Sequence, residues 1–96
     1  MIISLNLFSK FETGESYVCK SKEGYTCIYT VIDRGQNTVT FEKKYEINKK
    51  KFHEYKKFKI NFNGFMEQVL VWAYQDKKCY LQACNRIIDE TTRNEE

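Results

Sequence analysis

The sequence contains no proline, only four glycines, and no apolar run longer than residues 69–74. A helix needs about 20 apolar residues to cross a bilayer, so we expect no membrane partner. Glycine-rich phosphate loops and known catalytic motifs are also missing. His53 and Glu54 are adjacent, but the spacing places no serine or cysteine nucleophile beside them. We therefore expect a non-enzymatic protein with no catalytic residue and no cofactor.

Four cysteines and a single histidine do not form a metal-binding pattern. Cys19 and Cys27 form one loose pair and Cys79 and Cys84 another, and neither has the close Cys-x2-Cys spacing of zinc sites. His53 is remote from both pairs in sequence, so we assign no metal ligands. The first residues carry no early positive charge and no small-residue cleavage site, unlike a secretory leader. We expect a cytoplasmic protein with free thiols, and disulfides or structural zinc are the less favoured alternatives.

The composition favours one folded domain. A chain of 96 residues is long enough for a hydrophobic core but too short for two domains. Aromatic residues make up 16% and hydrophobic residues 42%, which favours a folded globule, and the 30% of charged residues argues against a membrane span. We assign residues 1–88 to a single domain and residues 89–96 to a polar, acidic tail.

Turn residues divide the sequence into short segments with the composition of strands. The glycines stand at the breaks between these segments. Residues 16–20 and 25–32 are short and rich in β-branched and aromatic side chains. In the next segment Val39, Phe41 and Tyr45 occupy alternate positions, which is typical of a half-buried strand. The pattern predicts a mostly β fold.

The segment 48–57 has a different periodicity. Phe52, Tyr55 and Phe58 recur at every third position, and Asn48 suits the N-cap of a helix. Lysine-rich loops have a similar composition. We expect one or two helical turns here, or an ordered loop.

The last third of the sequence predicts a hairpin and a final element. Asn63 and Gly64 both tolerate positive φ, so they are a strong signal for a type I′ turn. This predicts that residues 58–62 pair with residues 66–74. For residues 79–88 we favour a last strand, and a terminal helix is the alternative.

Hydrophobic and turn residues recur in a recognisable order through the first half: Phe11-x-x-Gly14-Glu15-x-Tyr17, Cys27-Ile28-Tyr29-Thr30-Val31-Ile32-x-Arg34, and Asn37-Thr38-Val39-Thr40-Phe41. The second half continues it loosely with Lys59-Ile60-x-Phe62-x-Gly64, Glu67 and Tyr80-x-x-Ala83. The order resembles small SH3-like (KOW/Tudor-like) β-barrels, and is similar to short phage and mobile-element proteins of low-GC bacteria. The resemblance implies a strongly bent antiparallel sheet or barrel of five to six strands, with an insertion near 48–57. Such folds host many functions, so the fold does not select one.

The strongest functional signal is the lysine-rich segment 43–59. Eight lysines and two glutamates give it a formal charge of +6, so the rest of the chain carries −3. Lysines interleaved with aromatic rings are typical of proteins that bind single-stranded nucleic acid, because ammonium groups neutralise phosphates and rings stack on bases. A solvated loop with inward-pointing rings is the structural alternative. The candidate nucleic-acid-binding residues are Lys43, Lys44, Lys49, Lys50, Lys51, Phe52, Tyr55, Lys56, Lys57 and Lys59, extended by Arg34.

Binding to a host protein or nucleoprotein complex is the alternative function. Residues 69–74 are apolar at every position, which fits either a strand covered on both faces or a surface that captures a partner or a second copy of the chain. The similarity to phage proteins implies an inhibitor or adaptor, for example an anti-defence or anti-CRISPR-type factor. The candidate interface residues are Tyr29, Trp72, Tyr74 and Tyr80.

Overall fold

The computed structural model describes residues 10–87, and this part of the chain is mostly β. It contains β1 (Ser16–Lys20), β2 (Thr26–Arg34), β3 (Thr38–Ile47), β4 (Lys50–Lys59), β5 (Asn61–Phe62), β6 (Glu67–Tyr74), β7 (Lys77–Gln82) and a 3₁₀ helix (Ala83–Asn85). Within the described residues, no helix is long and apolar enough to cross a membrane.

The strands form two antiparallel sheets, ordered β1-β2-β3-β4 and β5-β6-β7. The chain passes from the first sheet to the second at Ile60, whose N–H donates to the Asn37 carbonyl at 2.8 Å. It returns to the first sheet after β7, where Arg86 pairs with Tyr17 of β1 and the Ile87 N–H donates to a β1 carbonyl at 2.8 Å. The prediction of a mostly β, antiparallel fold is confirmed, with more strands than the five to six expected.

The core lies between the two sheets. Alternation along β1 to β3 turns one face of the first sheet inward, and β6 and β7 cover it. Phe11, from the segment before β1, packs edge-on against Phe41 with ring centroids 5.4 Å apart. The buried residues are Phe11, Tyr17, Cys27, Tyr29, Val31, Val39, Phe41, Val69, Leu81 and Ala83.

The prediction of helical turns or a loop at 48–57 is wrong. From Lys50 onward this segment is β4, which pairs with all ten residues of β3. Asn48 and Lys49 form the hairpin turn, with φ values of 51° and 68°. Positive φ at both central residues defines a type I′ turn, whose twist matches that of paired strands. Asparagine tolerates this conformation, so Asn48 starts a hairpin instead of capping a helix.

The predicted hairpin at Asn63-Gly64 is confirmed in part: residues 61–62 pair with β6, but residues 58–59 end β4 and pair with β3, and the turn type differs. Gly64 has a φ of 98°, whereas Asn63 is not among the residues with positive φ. The Asn63 side-chain oxygen instead accepts hydrogen bonds from the N–H groups of Phe65 (2.8 Å) and Met66 (2.9 Å). Asparagine therefore shapes this turn through its side chain.

The last predicted strand is confirmed in part. β7 begins before residue 79 and ends at Gln82, whose N–H donates to the Asn85 side-chain oxygen at 3.0 Å where the 3₁₀ helix begins. Residue 88 and the predicted acidic tail at 89–96 lie outside the described residues.

Candidate nucleic-acid interface

The lysine-rich segment lies on a long hairpin at one edge of the first sheet. Among residues 10–87, β4 is an edge strand, since it pairs with β3 on one side only. None of its ten residues is buried, and only Glu54 and Phe58 are half-buried. The hairpin therefore presents most of its side chains to solvent.

Strand alternation divides these lysines between the two faces of the hairpin. Phe58 pairs with the buried Val39, so Phe58 and every second residue before it lie on the core-facing side. The residues between them point to the opposite side. This opposite side, here called the basic face, consists of Lys44 on β3 and Lys51, His53, Tyr55, Lys57 and Lys59 on β4.

Tyr55 is the exposed aromatic ring of the basic face. Its side chain is 62% exposed, and its ring meets the His53 ring edge-on with centroids 5.8 Å apart. Lys57 follows at the next position on the same face. Alternate residues on a strand are separated by about 6.6–6.8 Å, so β4 places lysines at 51, 57 and 59 at defined positions on either side of one accessible ring.

Two carboxylates also lie on this side of β3. Glu42 is 3.5 Å from His53 Nδ1 and 3.9 Å from Lys44 Nζ, and Glu46 pairs with Lys51 across the strands. These glutamates reduce the formal charge of the face from +4 to +2. Within residues 10–87, the lysines at 51, 57 and 59 form no ion pair.

A shallow cavity of about 580 Å³ adjoins the basic face. Thr26 and Ile28 of β2 line one side, and Lys44 and His53 line the other. Ile28 lies opposite Lys44 across β2 and β3, which places an apolar side chain next to a cation. The cavity therefore has both apolar and charged lining residues next to the lysine row.

The core-facing side of the hairpin holds a second aromatic group. Tyr45 lies between Tyr25 and Phe52, with stacked ring centroids 5.4 and 5.2 Å apart. Lys43 Nζ lies 5.2 Å from the centre of the Tyr45 ring. The Tyr45 hydroxyl donates to Glu54 at 2.8 Å, which raises the pKa of Tyr45 to about 12 and lowers the pKa of Glu54. These three rings therefore stack on one another.

The two rings predicted to stack on bases, Phe52 and Tyr55, therefore lie on opposite faces. Phe52 packs on Tyr45, and only Tyr55 accompanies the basic face. The lysines divide in the same way: Lys43, Lys50 and Lys56 lie on the core-facing side, and Lys49 is in the turn. The structure brings together about half of the predicted set.

Arg34 is not part of this surface. Its guanidinium forms a bidentate ion pair with Glu67 of β6, with distances of 2.6 and 2.7 Å. It also donates to the Phe11 carbonyl at 2.7 Å. Arg34 therefore links the segment before β1 to the second sheet, and its guanidinium N–H groups donate to these partners.

The four residues predicted for a protein interface do not share one exposed surface. Tyr29 is only 3% exposed and belongs to the core. Trp72 is half-buried, and its indole N–H donates to the Lys20 carbonyl at 3.0 Å. Tyr80 is also half-buried, whereas Tyr74 is 53% exposed.

The sequence pattern gave no sign of the contributions of Glu42 and Ile28, or of the contact between the Cys19 and Cys79 thiols. Glu42 and Ile28 become neighbours of the lysines only through the register of β2, β3 and β4. Recognising Asn48 and Lys49 as a hairpin turn would have placed Glu42 beside β4, because that turn sets the register of β4, whereas Ile28 depends on the register of β2 with β3. Cys19 and Cys79 lie 3.7 Å apart, although they are 60 residues apart in sequence.

In residues 10–87 no group of three or more histidine, cysteine, aspartate or glutamate side chains could hold a metal ion.

Comparisons with protein-family models, curated proteins and solved structures found no match to this chain. The geometry of the basic face is therefore the main guide to function.

Proposed function

We propose that this chain is a small non-enzymatic module that binds single-stranded nucleic acid on the basic face, with limited sequence preference. The observation that carries the proposal is the position of Tyr55, a 62% exposed ring within a row of lysines. A ring in this position can stack on a base while the ammonium groups beside it neutralise phosphates. Single strands are favoured over duplex, because stacking on a side chain requires an unpaired base.

The lysines of β4 also have a structural explanation. An edge strand with unpaired backbone groups can recruit another strand, and lysines on such a strand oppose this pairing. That explanation applies to both faces of β4 and does not require an exposed tyrosine. The two explanations therefore make different predictions for substitutions that change the basic face alone.

We also infer an SH3-like, partly open barrel as the fold class. Two connections between the sheets support this inference: the passage at Ile60 and the pairing of Arg86 with Tyr17. The phage-like origin suggested by the sequence pattern remains part of the proposal.

The test is fluorescence anisotropy with labelled single-stranded RNA, single-stranded DNA and duplex DNA over a range of salt concentrations. Three to four phosphate contacts give a slope of log affinity against log salt between about −2 and −3 for single strands. Changing Lys51 and Lys57 to glutamine removes two contacts. We expect this to weaken binding roughly 20-fold at about 0.1 M salt.

Two matched controls separate the basic face from general charge. Lys50→Gln with Lys56→Gln changes the same net charge on the same strand but on the other face, and we expect less than about a threefold loss. Tyr55→Ala is compared with Phe62→Ala, a ring of similar exposure (65%) on the second sheet. We expect about a tenfold loss for Tyr55→Ala and none for Phe62→Ala.

Equal losses from the two lysine pairs would contradict a specific site on the basic face. Absence of binding at low salt would mean that the lysines of β4 serve only to oppose pairing with another strand. The alternative function, inhibition or adaptation of a host complex, would then become the proposal to test.

A further inference from the structure

Two half-buried thiols meet where the two sheets come together. Cys19 is on β1 and Cys79 is on β7, and their Sγ atoms are 3.7 Å apart. Both are free thiols. The contact joins the edge of the first sheet farthest from β4 to the edge strand of the second.

The other two cysteines are placed differently. Cys27 lies opposite Cys19 on β2, but it is fully buried and its thiol points to the Tyr25 carbonyl at 4.0 Å. Cys84 is exposed, and its thiol lies 3.9 Å from the Gln82 side-chain oxygen. The contact at 3.7 Å is therefore specific to one pair of thiols in the described part of the chain.

A disulfide has a sulfur–sulfur bond of about 2.05 Å, so the two Sγ atoms need to approach by roughly 1.6 Å to form one. Both side chains are partly accessible, so a small reagent can reach them. We propose that Cys19 and Cys79 form an oxidation site, at which a small disulfide such as oxidised glutathione converts the two thiols into a cross-link between β1 and β7.

The reaction is two successive thiol–disulfide exchanges. The Cys79 thiolate attacks one sulfur of oxidised glutathione, the glutathione disulfide breaks, and one glutathione leaves as a thiolate that takes up a proton. Cys19 then loses its proton to solvent and attacks the Cys79 sulfur, and the second glutathione leaves. Two protein thiols are oxidised by two electrons, and one oxidised glutathione is reduced to two glutathione thiols.

The environment of Cys19 sets this order. Burial, followed by the hydrogen bond with Cys79, raises the pKa of Cys19 to about 12. Cys19 is therefore protonated near neutral pH and is a poor first nucleophile. It is well placed as the resolving thiol, because Cys79 lies next to it.

The cross-link constrains the unfolded chain, because it closes a long loop between β1 and β7. We expect the oxidised protein to melt roughly 10 °C higher than the reduced protein. β4 is at the opposite edge of the first sheet, so nucleic-acid binding on the basic face is expected to stay unchanged. The oxidation site and the proposed function are thus tested separately.

The experiment uses the full chain with Cys84→Ser, which removes the exposed thiol that competes for the reagent. The protein is equilibrated with mixtures of oxidised and reduced glutathione, free thiols are blocked, and the mass is measured. We expect oxidation to lower the mass of the protein by two hydrogen atoms. In a non-reducing digest, we expect the Cys19 and Cys79 peptides to remain linked to each other. The melting temperature is measured on the same samples with and without dithiothreitol.

Adding Cys79→Ser provides the matched variant. We expect its melting temperature to be independent of the glutathione mixture and close to that of the reduced parent. Three results would overturn the proposal: glutathione adducts without an internal cross-link, a Cys19–Cys27 link in the digest, or an oxidised form that melts no higher than the reduced one.

Discussion

β3 and β4 are strands of equal length that pair along their whole length, yet they differ in almost everything else. β3 buries Val39 and Phe41 completely, whereas β4 buries no residue. β3 has neighbours on both sides, and β4 has one. β4 is therefore held in place mainly by its backbone pairing with β3 and by a good turn, and its apolar contacts come from Phe58 against the core and Phe52 against Tyr45.

This difference separates stability from function in the hairpin. The packing of β6 and β7 against β1–β3 supplies the apolar burial that stabilises the fold. β4 is then free to carry lysines at five of its eight exposed positions. Substitutions on the two strands should therefore affect different measurements.

The largest effect is expected from removing the ring at the centre of the core. Phe41→Ala deletes a fully buried side chain that packs against Phe11, Tyr29 and Phe58. We expect a loss of about 3–5 kcal/mol in the free energy of unfolding, measured by urea denaturation. Tyr55→Ala on β4 is the comparison and should cost less than about 1 kcal/mol. Similar losses of stability from Phe41→Ala and Tyr55→Ala would mean that the basic face of β4 also contributes to the core.

A smaller effect is expected from the ion pair between the sheets. The side chain of Glu67 is 12% exposed and binds both Arg34 and the Phe11 N–H (3.0 Å). Burial opposes its ionisation, but these hydrogen bonds and the charge of Arg34 outweigh burial and lower the pKa of Glu67. We expect Glu67→Gln to cost about 2 kcal/mol at pH 7.

The same carboxylate gives a pH dependence. The folded protein binds a proton at Glu67 less readily than the unfolded chain, so this stabilisation is complete above the ordinary glutamate pKa of about 4.3 and disappears as the pH falls below it. Wild type and Glu67→Gln should therefore converge in stability in acid. Glu54→Gln on β4 is the control, because its side chain is 39% exposed and its effect should stay below about 1 kcal/mol. A difference between wild type and Glu67→Gln that does not change with pH would exclude this role for Glu67.

The smallest effect has the opposite sign. Lys49 has a φ of 68° in the type I′ turn, a conformation that glycine adopts without strain. We expect Lys49→Gly to stabilise the protein by about 0.5–1 kcal/mol, since Asn-Gly is the preferred type I′ sequence. Lys50→Gly removes the same charge one residue later, inside β4, and should destabilise by a similar amount. Melting temperatures of the two variants test this, and equal shifts would contradict the turn assignment.

Local sequence patterns predicted the first three strands well. In β3, for example, the alternation of Val39 and Phe41 with polar residues reports directly on a buried face. The same approach failed at β4, because an exposed edge strand has no buried face to produce an alternating pattern. Its aromatic residues at every third position suggested a helix, and only the pairing with β3 revealed a strand.

The candidate site was predicted as a segment but not as a surface. The lysines of 43–59 are visible in the sequence, whereas Arg34 and Tyr29 were assigned to surfaces that they do not reach. Arg34 has a partner 33 residues away, and Tyr29 is buried in the core against Phe41 and Phe58. Neither relationship leaves a local trace in the sequence.

The sequence by itself determined the β class of the fold, the positions of the glycine-marked turns and the concentration of positive charge, because each depends on side chains close together in the chain. Only the tertiary structure decided which lysines share a face with Tyr55, and that Cys19 meets Cys79. The first outcome requires residues 50–59 to be a strand, and strand register then decides which face points outward, because a shift by one residue reverses every side chain. The second outcome requires the two sheets to pack together, so neither is visible before the strands have paired and packed.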